Sequence, residues 1–151
     1  MEWDIIITDS KDERFIDLIK LLDNDLDERY GELQKKYDKH NKVDCIKDVV
    51  LILKNDNPIA CGAFKEFADN AVEIKRVFVK KEFRRQGLSK MIMDKLEELT
   101  KQVGYNYAVL ETGQKQYEAI RLYESIGYER MPNYGPYVGN SNSVCMKKRL
   151  F

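Results

Sequence analysis

Apolar and polar residues alternate in several short runs of this chain, which predicts a series of strands. The runs cover residues 2–8, 49–54, 59–67, 71–79, 105–111, 128–131 and 142–150. The short turns NDNP and ADN separate the second run from the third and the third from the fourth. These three strands are therefore predicted to form an antiparallel meander. The last two runs flank the loop PNYGPYVGNS and are predicted to be edge strands.

Between the strands, apolar residues recur at helical spacing. The four helical patterns cover residues 13–22, 30–37, 88–103 and 117–126. Ser10 and Glu13 form a capping box before the first pattern, and Gly104 and Gly127 stop the last two. This element order indicates one α/β or α+β domain over residues 1–151, with a mixed sheet.

The strand over residues 71–79 changes its alternation midway. Its apolar residues fall on even positions up to Ile74 and on odd positions from Val77. Because a period of two cannot switch parity without an inserted residue, we predict a β-bulge between them. A plain edge strand with Lys75 and Arg76 on opposite faces is the alternative.

Composition allows a packed core and argues against some partners. Of the 151 residues, 43% are hydrophobic, and 26 Lys and Arg balance 26 Asp and Glu. A net charge of zero argues against a general nucleic-acid binder, because that affinity depends on neutralising many phosphates. The longest apolar runs hold about five residues, too few to span a membrane.

Cysteine and histidine give no catalytic or metal-binding pattern. The spacing of Cys45, Cys61 and Cys145 fits no zinc or thioredoxin motif, and no signal-like run opens the chain, so a cytoplasmic location is expected. Cys61 and Cys145 lie in apolar strands and are interpreted as inert core thiols. The single histidine, His40, lies in a polar run and is interpreted as a solvated surface residue.

A basic turn, RRQG, follows the irregular strand and precedes a helix. Gly87 has no Cβ, so the backbone can approach an anion closely there. The first helical N–H groups lack internal partners and lie at the positive end of the helix dipole. Arg84, Arg85 and Lys90 add full charges, so the turn is interpreted as a pyrophosphate site, with a solvated helix cap as the alternative. The P-loop and G-x-G-x-x-G patterns are absent.

Two motifs resemble those of the GCN5-related N-acetyltransferase (GNAT) family, and the resemblance extends over nearly the whole chain. RRQGLS resembles the family's pyrophosphate motif R/Q-x-x-G-x-G/A, although Ser89 stands at its last position. QYEAIRLYESIGY resembles N-x-x-A-x-x-L-Y-x-x-x-G-F/Y, although Gln116 stands where the family has asparagine. The matching positions are Arg84, Gly87, Ala119, Leu122, Tyr123, Gly127 and Tyr128.

The resemblance implies a GNAT-like, mostly antiparallel central sheet of about six or seven strands flanked by about four helices. It also implies that acetyl-coenzyme A lies between the fourth and fifth strands. The residues that this assigns to the coenzyme are Val77, Phe78, Val79, Arg84, Arg85, Gln86, Gly87, Leu88, Ser89, Lys90, Gln116, Ala119 and Tyr123.

The implied reaction is transfer of the acetyl group to a primary amine of a small molecule or amino-acid-like acceptor, by direct attack. An alkylammonium titrates near 10.4 and must lose a proton before it attacks. Glu73 is the predicted base and Tyr123 the predicted acid that protonates the departing thiolate. The alternatives are an ion pair of Glu73 with Lys75 or Arg76 and a core role for Tyr123.

The acceptor site is expected to include Tyr30, Glu111, Tyr134 and Tyr137. The acidic segment around Tyr30 would suit a cationic amine. We expect no metal, nucleic-acid or membrane partner, and assembly into a homodimer stays open. A non-catalytic coenzyme A sensor or interaction module and a protein N-acetyltransferase are the alternative functions.

Overall fold

The computed structural model describes residues 3–30, residue 46 and residues 48–151 of the chain. Most of the predicted helix over residues 30–37, together with His40 and Cys45, lies outside the described residues. Among the described residues, no helix is long and apolar enough to cross a membrane.

Seven strands form one mixed sheet. They are β1 (Trp3–Thr8), β2 (Asp48–Lys54), β3 (Asn57–Ala68), β4 (Ala71–Val79), β5 (Tyr107–Gly113), β6 (Glu129–Met131) and β7 (Ser143–Arg149). The order across the sheet is β1-β2-β3-β4-β5-β7-β6. The described helices are α1 (Glu13–Tyr30), α2 (Leu88–Gln102) and α3 (Tyr117–Ser125), with 3-10 turns at Lys81–Phe83 and Gly135–Tyr137.

The pairing confirms the predicted fold class. Adjacent strands run antiparallel in the pairs β1–β2, β2–β3, β5–β7 and β6–β7, whereas β4 and β5 run parallel. The prediction that the last two strands are both edge strands is wrong, because β7 lies between β5 and β6. It pairs along its whole length with β5, from Tyr107 opposite Arg149 to Gly113 opposite Ser143.

Two local predictions also need correction. The turn between β2 and β3 contains only Asn55 and Asp56, whose φ angles of 50° and 67° allow a two-residue hairpin. β3 therefore begins two residues before the predicted position. The cap of α1 is Asp12 rather than Ser10: its carboxylate accepts the amide of Arg14 at 2.9 Å, and its carbonyl accepts the amide of Ile16 at 3.1 Å.

The described chain divides into two compact units. The first contains the described residues within Met1–Phe64 and Arg76–Leu96, and the second contains Lys65–Lys75 and Glu97–Phe151. The prediction of one domain over residues 1–151 stays a prediction.

The first unit has a continuous apolar core. Its buried residues are Phe15, Leu18, Leu22, Ile46, Val49, Leu51, Leu53, Cys61, Ala63 and Phe78. A Cβ at Gly62 would lie 2.4 Å from Cγ2 of Ile92, so glycine lets α2 pack closely against β3. This contact holds the beginning of α2, where the predicted anion site lies, against the sheet of its own unit.

In the second unit, a buried polar network ties the end of α3 to α2 and β7. The hydroxyl of Tyr128 donates to Glu97 Oε2 at 3.0 Å, and Lys148 Nζ donates to Glu97 Oε1 at 2.7 Å. Glu97 is only 8% exposed, and a buried carboxylate is tolerated when both oxygens have donors. The network therefore fixes the C-terminal end of the helix that carries Tyr123.

Candidate active site

The backbone of β4 is irregular at the position predicted from its alternation. Arg76 has a φ of 60°, in the left-handed region that a non-glycine residue adopts only at a cost. Its guanidinium pairs with Asp23 at 2.6 Å, and its carbonyl accepts a hydrogen bond from the Cys61 thiol at 3.3 Å. These contacts hold Arg76 in its strained conformation. The alternative, a plain edge strand with Lys75 and Arg76 on opposite faces, is therefore wrong.

The basic turn leads directly into α2. Arg85 and Gly87 both have positive φ angles, 66° and 79°. The carbonyl of Gly87 accepts the amide of Met91 at 3.1 Å, which is the first helical hydrogen bond. The three preceding amides, those of Leu88, Ser89 and Lys90, begin the helix at its positive end. The backbone therefore has the geometry of an anion site.

Arg84 holds the turn to the end of β4. Its Nε donates to the carbonyl of Val79 at 2.9 Å, and one terminal nitrogen lies 3.4 Å from a carboxylate oxygen of Asp25. Its guanidinium also lies over the ring of Phe78, 5.6 Å from the centroid. Arg84 thus has a structural task in this unit, and its predicted contact with a pyrophosphate stays a prediction.

Glu73 lies on β4 in the second unit and is held at both carboxylate oxygens. Oε1 is 3.8 Å from Nζ of Lys75, and Oε2 accepts a hydrogen bond from the hydroxyl of Tyr134 at 2.8 Å. Lys75 is two residues further along the strand and therefore on the same face. The ion pair that was the alternative for Glu73 is present.

The loop between β6 and β7 brings two of the predicted acceptor residues to Glu73. The ring of Tyr134 packs edge-on against Phe67 and Tyr137, with centroids 4.7 Å and 5.7 Å apart. Burial, followed by the charge of Glu73, raises the pKa of the Tyr134 phenol, so it remains a hydrogen-bond donor at neutral pH. The side-chain amide of Asn133 donates to the carbonyls of Tyr137 and Asn140 and holds the loop together.

Glu111 is a second carboxylate in the same unit, on β5. Its Oε2 accepts a hydrogen bond from the hydroxyl of Ser143 at 2.8 Å. Burial raises the pKa of Glu111 to about 7, and the charge of Glu73 adds to this, while Ser143 and Lys75 lower it. The sequence suggested only that Glu111 contacts the acceptor. A carboxylate within the strand YAVLETG could also have indicated a role in proton transfer.

Tyr123 is buried on α3. The amide of Tyr128 donates to its carbonyl at 2.9 Å, and the two rings meet edge-on with centroids 5.9 Å apart. Burial, and then the charge of Glu111, raises the pKa of the Tyr123 phenol. The phenol therefore keeps its proton at neutral pH, as a proton donor must.

The remaining predicted residues occupy varied positions. Gln116 lies just before α3, where its side-chain oxygen accepts hydrogen bonds from the amide of Gly113 and the hydroxyl of Thr112. The side chain of Tyr30 is outside the described part of the structure.

Burial raises the pKa of Cys61 to about 12 and that of Cys145 to about 11, so neither is a thiolate at neutral pH.

Comparison with known proteins identifies the family of this chain. A family model described as the acetyltransferase (GNAT) family matches residues 14–128. The uncharacterized N-acetyltransferase YsnE of Bacillus subtilis (strain 168) is 33% identical over 99 residues, which cover 64% of this chain and 66% of the relative. The chain thus spans about two thirds of the length of that relative.

Two solved structures share the fold. One, assigned as an acyl-CoA N-acyltransferase from Klebsiella pneumoniae subsp. pneumoniae MGH 78578, has a TM-score of 0.81 and 29% identity, covering 99% of this chain and 98% of the other. The other is a GNAT family acetyltransferase from Elizabethkingia anophelis with acetyl-CoA bound. It has a TM-score of 0.69 and 17% identity over 98% of each chain.

Proposed function

Since this chain belongs to the acetyltransferase (GNAT) family, we propose that it transfers the acetyl group of acetyl-coenzyme A to a primary amine of a small molecule. The observation that carries this proposal is the family match over residues 14–128, supported by one compact unit that holds the buried Tyr123 together with Glu73 and Glu111. A buried phenol that keeps its proton and carboxylates that can accept one are the two kinds of group that amide formation from an ammonium requires.

In this proposal the first unit binds the coenzyme. The amides at the start of α2 face the pyrophosphate, because the first N–H groups of a helix lack a partner within the helix and lie at its positive end. Gly87 provides the positive φ of 79° that directs the chain into the helix. Val77, Phe78 and Val79 follow the irregular residue of β4 and are proposed to pair with the pantetheine arm by their backbone. Arg84 stabilises the turn through its hydrogen bond to the carbonyl of Val79.

The second unit performs the proton transfers. When bound, acetyl-coenzyme A supplies the acetyl group as a thioester, which has an electrophilic carbonyl carbon and a sulfur that leaves as a thiolate. A carboxylate, Glu73 or Glu111, takes a proton from the acceptor ammonium. Tyr123 gives its phenolic proton to the departing sulfur, whose thiol form titrates near 8.5.

The acceptor is proposed to be a small cationic amine. Glu73 and Glu111 supply negative charge, and the packed rings of Tyr134, Tyr137 and Phe67 supply aromatic surface beside it. Carboxylates and aromatic rings both attract ammonium groups. Lys75, which lies next to Glu73, can in turn attract a carboxylate on an amino-acid-like acceptor.

A panel of aliphatic, amino-acid, aromatic and peptide amines, followed by thiol release from acetyl-coenzyme A, tests the proposal. We expect thiol release with at least one amine. We also expect calorimetry to detect binding of acetyl-coenzyme A when no amine is present. Binding without release for any amine would favour the sensor function. Release with peptide amines alone would favour a protein N-acetyltransferase.

A further inference from the structure

We propose that Glu111 is the general base that takes the proton from the acceptor ammonium, whereas Glu73 positions the loop that carries Tyr134. This inference deepens the proposed function and rests on it. It reverses the sequence-based prediction, in which Glu73 was the base and Glu111 only contacted the acceptor.

Glu73 is committed to its neighbours. One of its oxygens faces the Lys75 ammonium and the other accepts the Tyr134 hydroxyl, and the carboxylate is 7% exposed. Both carboxylate oxygens therefore already face donors within the second unit. A proton placed on Glu73 would weaken the ion pair with Lys75 and the hydrogen bond that anchors the β6–β7 loop. These contacts suit Glu73 to positioning the loop rather than to reacting with the acceptor.

Glu111 is held at one oxygen and has another with which to accept a proton. The hydroxyl of Ser143 donates to Oε2 at 2.8 Å, which orients the carboxylate. On the neighbouring strand, Cys145 lies opposite Glu111 in the sheet register. The carboxylate can thus take a proton on Oε1 while Ser143 continues to donate to Oε2.

The charged and titratable groups around Glu111 come from every element packed against it. β4 contributes Glu73 and Lys75, β7 contributes Ser143 and Cys145, and α3 contributes Tyr123. Burial is the largest cause that raises the pKa of Glu111 to about 7; Ser143 and Lys75 lower it, and the charge of Glu73 raises it. A carboxyl group with that pKa is a stronger base than a solvated one, and it releases its proton to water again near neutral pH.

The protons balance as follows. Glu111 takes the first proton from the ammonium, the nitrogen then bonds to the thioester carbon, and the carbon–sulfur bond breaks. Tyr123 gives its proton to the sulfur and regains one from the nitrogen as the amide forms. Glu111 releases the first proton to water. Each residue ends in its starting state, and one proton leaves for each amide formed.

The test is the pH profile of kcat/KM, measured with the panel amine that the unmodified protein acetylates fastest. We expect an acidic limb near pH 7, set by Glu111. Glu111→Gln should lower kcat/KM at neutral pH by about 100-fold and remove this limb. Glu73→Gln should lower activity while keeping the limb. Glu129→Gln, at an exposed position of β6, is the matched control and should behave like the unmodified protein.

Ser143→Ala provides a second test that does not remove the carboxylate. Ser143 lowers the pKa of Glu111, so its loss should move the acidic limb to higher pH by roughly half a unit. A merely structural role of Glu111 would not move the limb.

The outcomes separate the two proposals. Wild-type turnover with an unchanged limb in Glu111→Gln or Ser143→Ala would overturn the assignment of the base and leave the proposed function intact. No turnover of any amine by the unmodified protein would overturn the proposed function, and this inference with it. Acetyl-coenzyme A should bind equally to the unmodified protein and to Glu111→Gln, because the base does not hold the coenzyme.

Discussion

The basic turn before α2 and the carboxylate face of β4 and β5 differ in the kind of group that each presents. The turn offers backbone amides. The side chain of Arg84 donates to the carbonyl of Val79, and Lys90, in the first turn of α2, is exposed and pairs with Asp94. The carboxylate face offers the side chains of Glu73 on β4 and Glu111 on β5, and the buried Tyr123 of α3 belongs to the same unit.

This difference has consequences for how each region responds to substitution. A backbone site depends on conformation, so most side-chain changes there should weaken binding only when they alter φ and ψ. A buried side-chain site depends on particular proton donors and acceptors, so the loss of one oxygen should lower the rate directly. We therefore expect substitutions at the turn to change the Kd of the coenzyme and substitutions at the carboxylate face to change kcat.

Tyr123→Phe should have the largest effect of the substitutions that sharpen this comparison. It removes the proton donor and keeps the ring that packs against Tyr128, so turnover should fall ten-fold or more. The affinity for acetyl-coenzyme A should stay nearly intact. Thiol release and calorimetry measure the two quantities.

Tyr117→Phe is the matched control for that change. Tyr117 lies on the same helix but is 61% exposed, so its hydroxyl should be dispensable. If Tyr123→Phe and Tyr117→Phe both turn over at the wild-type rate, Tyr123 has no role in the proton transfer.

Gly87→Val should weaken coenzyme binding by roughly ten-fold with little change in kcat. Among the described residues, apart from its chain neighbours, no heavy atom lies within 4 Å of a Cβ at Gly87, so the cost comes from its φ of 79° rather than from a clash. A β-branched residue disfavours that conformation and should shift the amides that begin α2. Titration calorimetry with acetyl-coenzyme A measures the change in Kd.

Gly104→Val makes a parallel change at the other end of the same helix. Gly104 has a φ of 95°, and a Cβ there would also meet no neighbour within 4 Å. Both substitutions should lower the Tm, but only Gly87→Val should raise the Kd. Equal Kd values in the two variants would mean that the start of α2 does not bind the coenzyme.

Much of the fold was predictable from the sequence because its signals are local. β4 was predicted at its observed bounds, and the parity change at Ile74 and Val77 located the strained residue Arg76. Side-chain partners depend on elements distant in the sequence. The pairing of Tyr134 with Glu73 and of Ser143 with Glu111 requires β7 to lie beside β5. From the sequence, β7 was wrongly predicted to be an edge strand.

The smallest expected effect concerns stability, and it tests the buried charge of Glu111 without any substrate. The pKa of Glu111 is raised from 4.5 to about 7 in the folded chain. Below pH 4.5 the carboxyl is protonated in both the folded and the unfolded state, so it contributes no pH dependence. As the pH rises to 7, the unfolded chain loses this proton while the folded chain keeps it, so the folded state loses relative stability.

Glu111→Gln should therefore become more stable relative to the unmodified protein as the pH rises from 4.5 to 8. The Tm difference between the two proteins should grow by a few degrees over this range and then level off, because above pH 7 the folded chain carries the buried charge as well. Measuring both proteins in the same buffers cancels the titration of the other groups, and Glu129→Gln should show a flat difference. A flat difference for Glu111→Gln would show that its carboxylate is as well solvated as an exposed one. A carboxylate so well solvated would lack the raised pKa that makes Glu111 the stronger base, and it would be no better placed than Glu73 to deprotonate the acceptor.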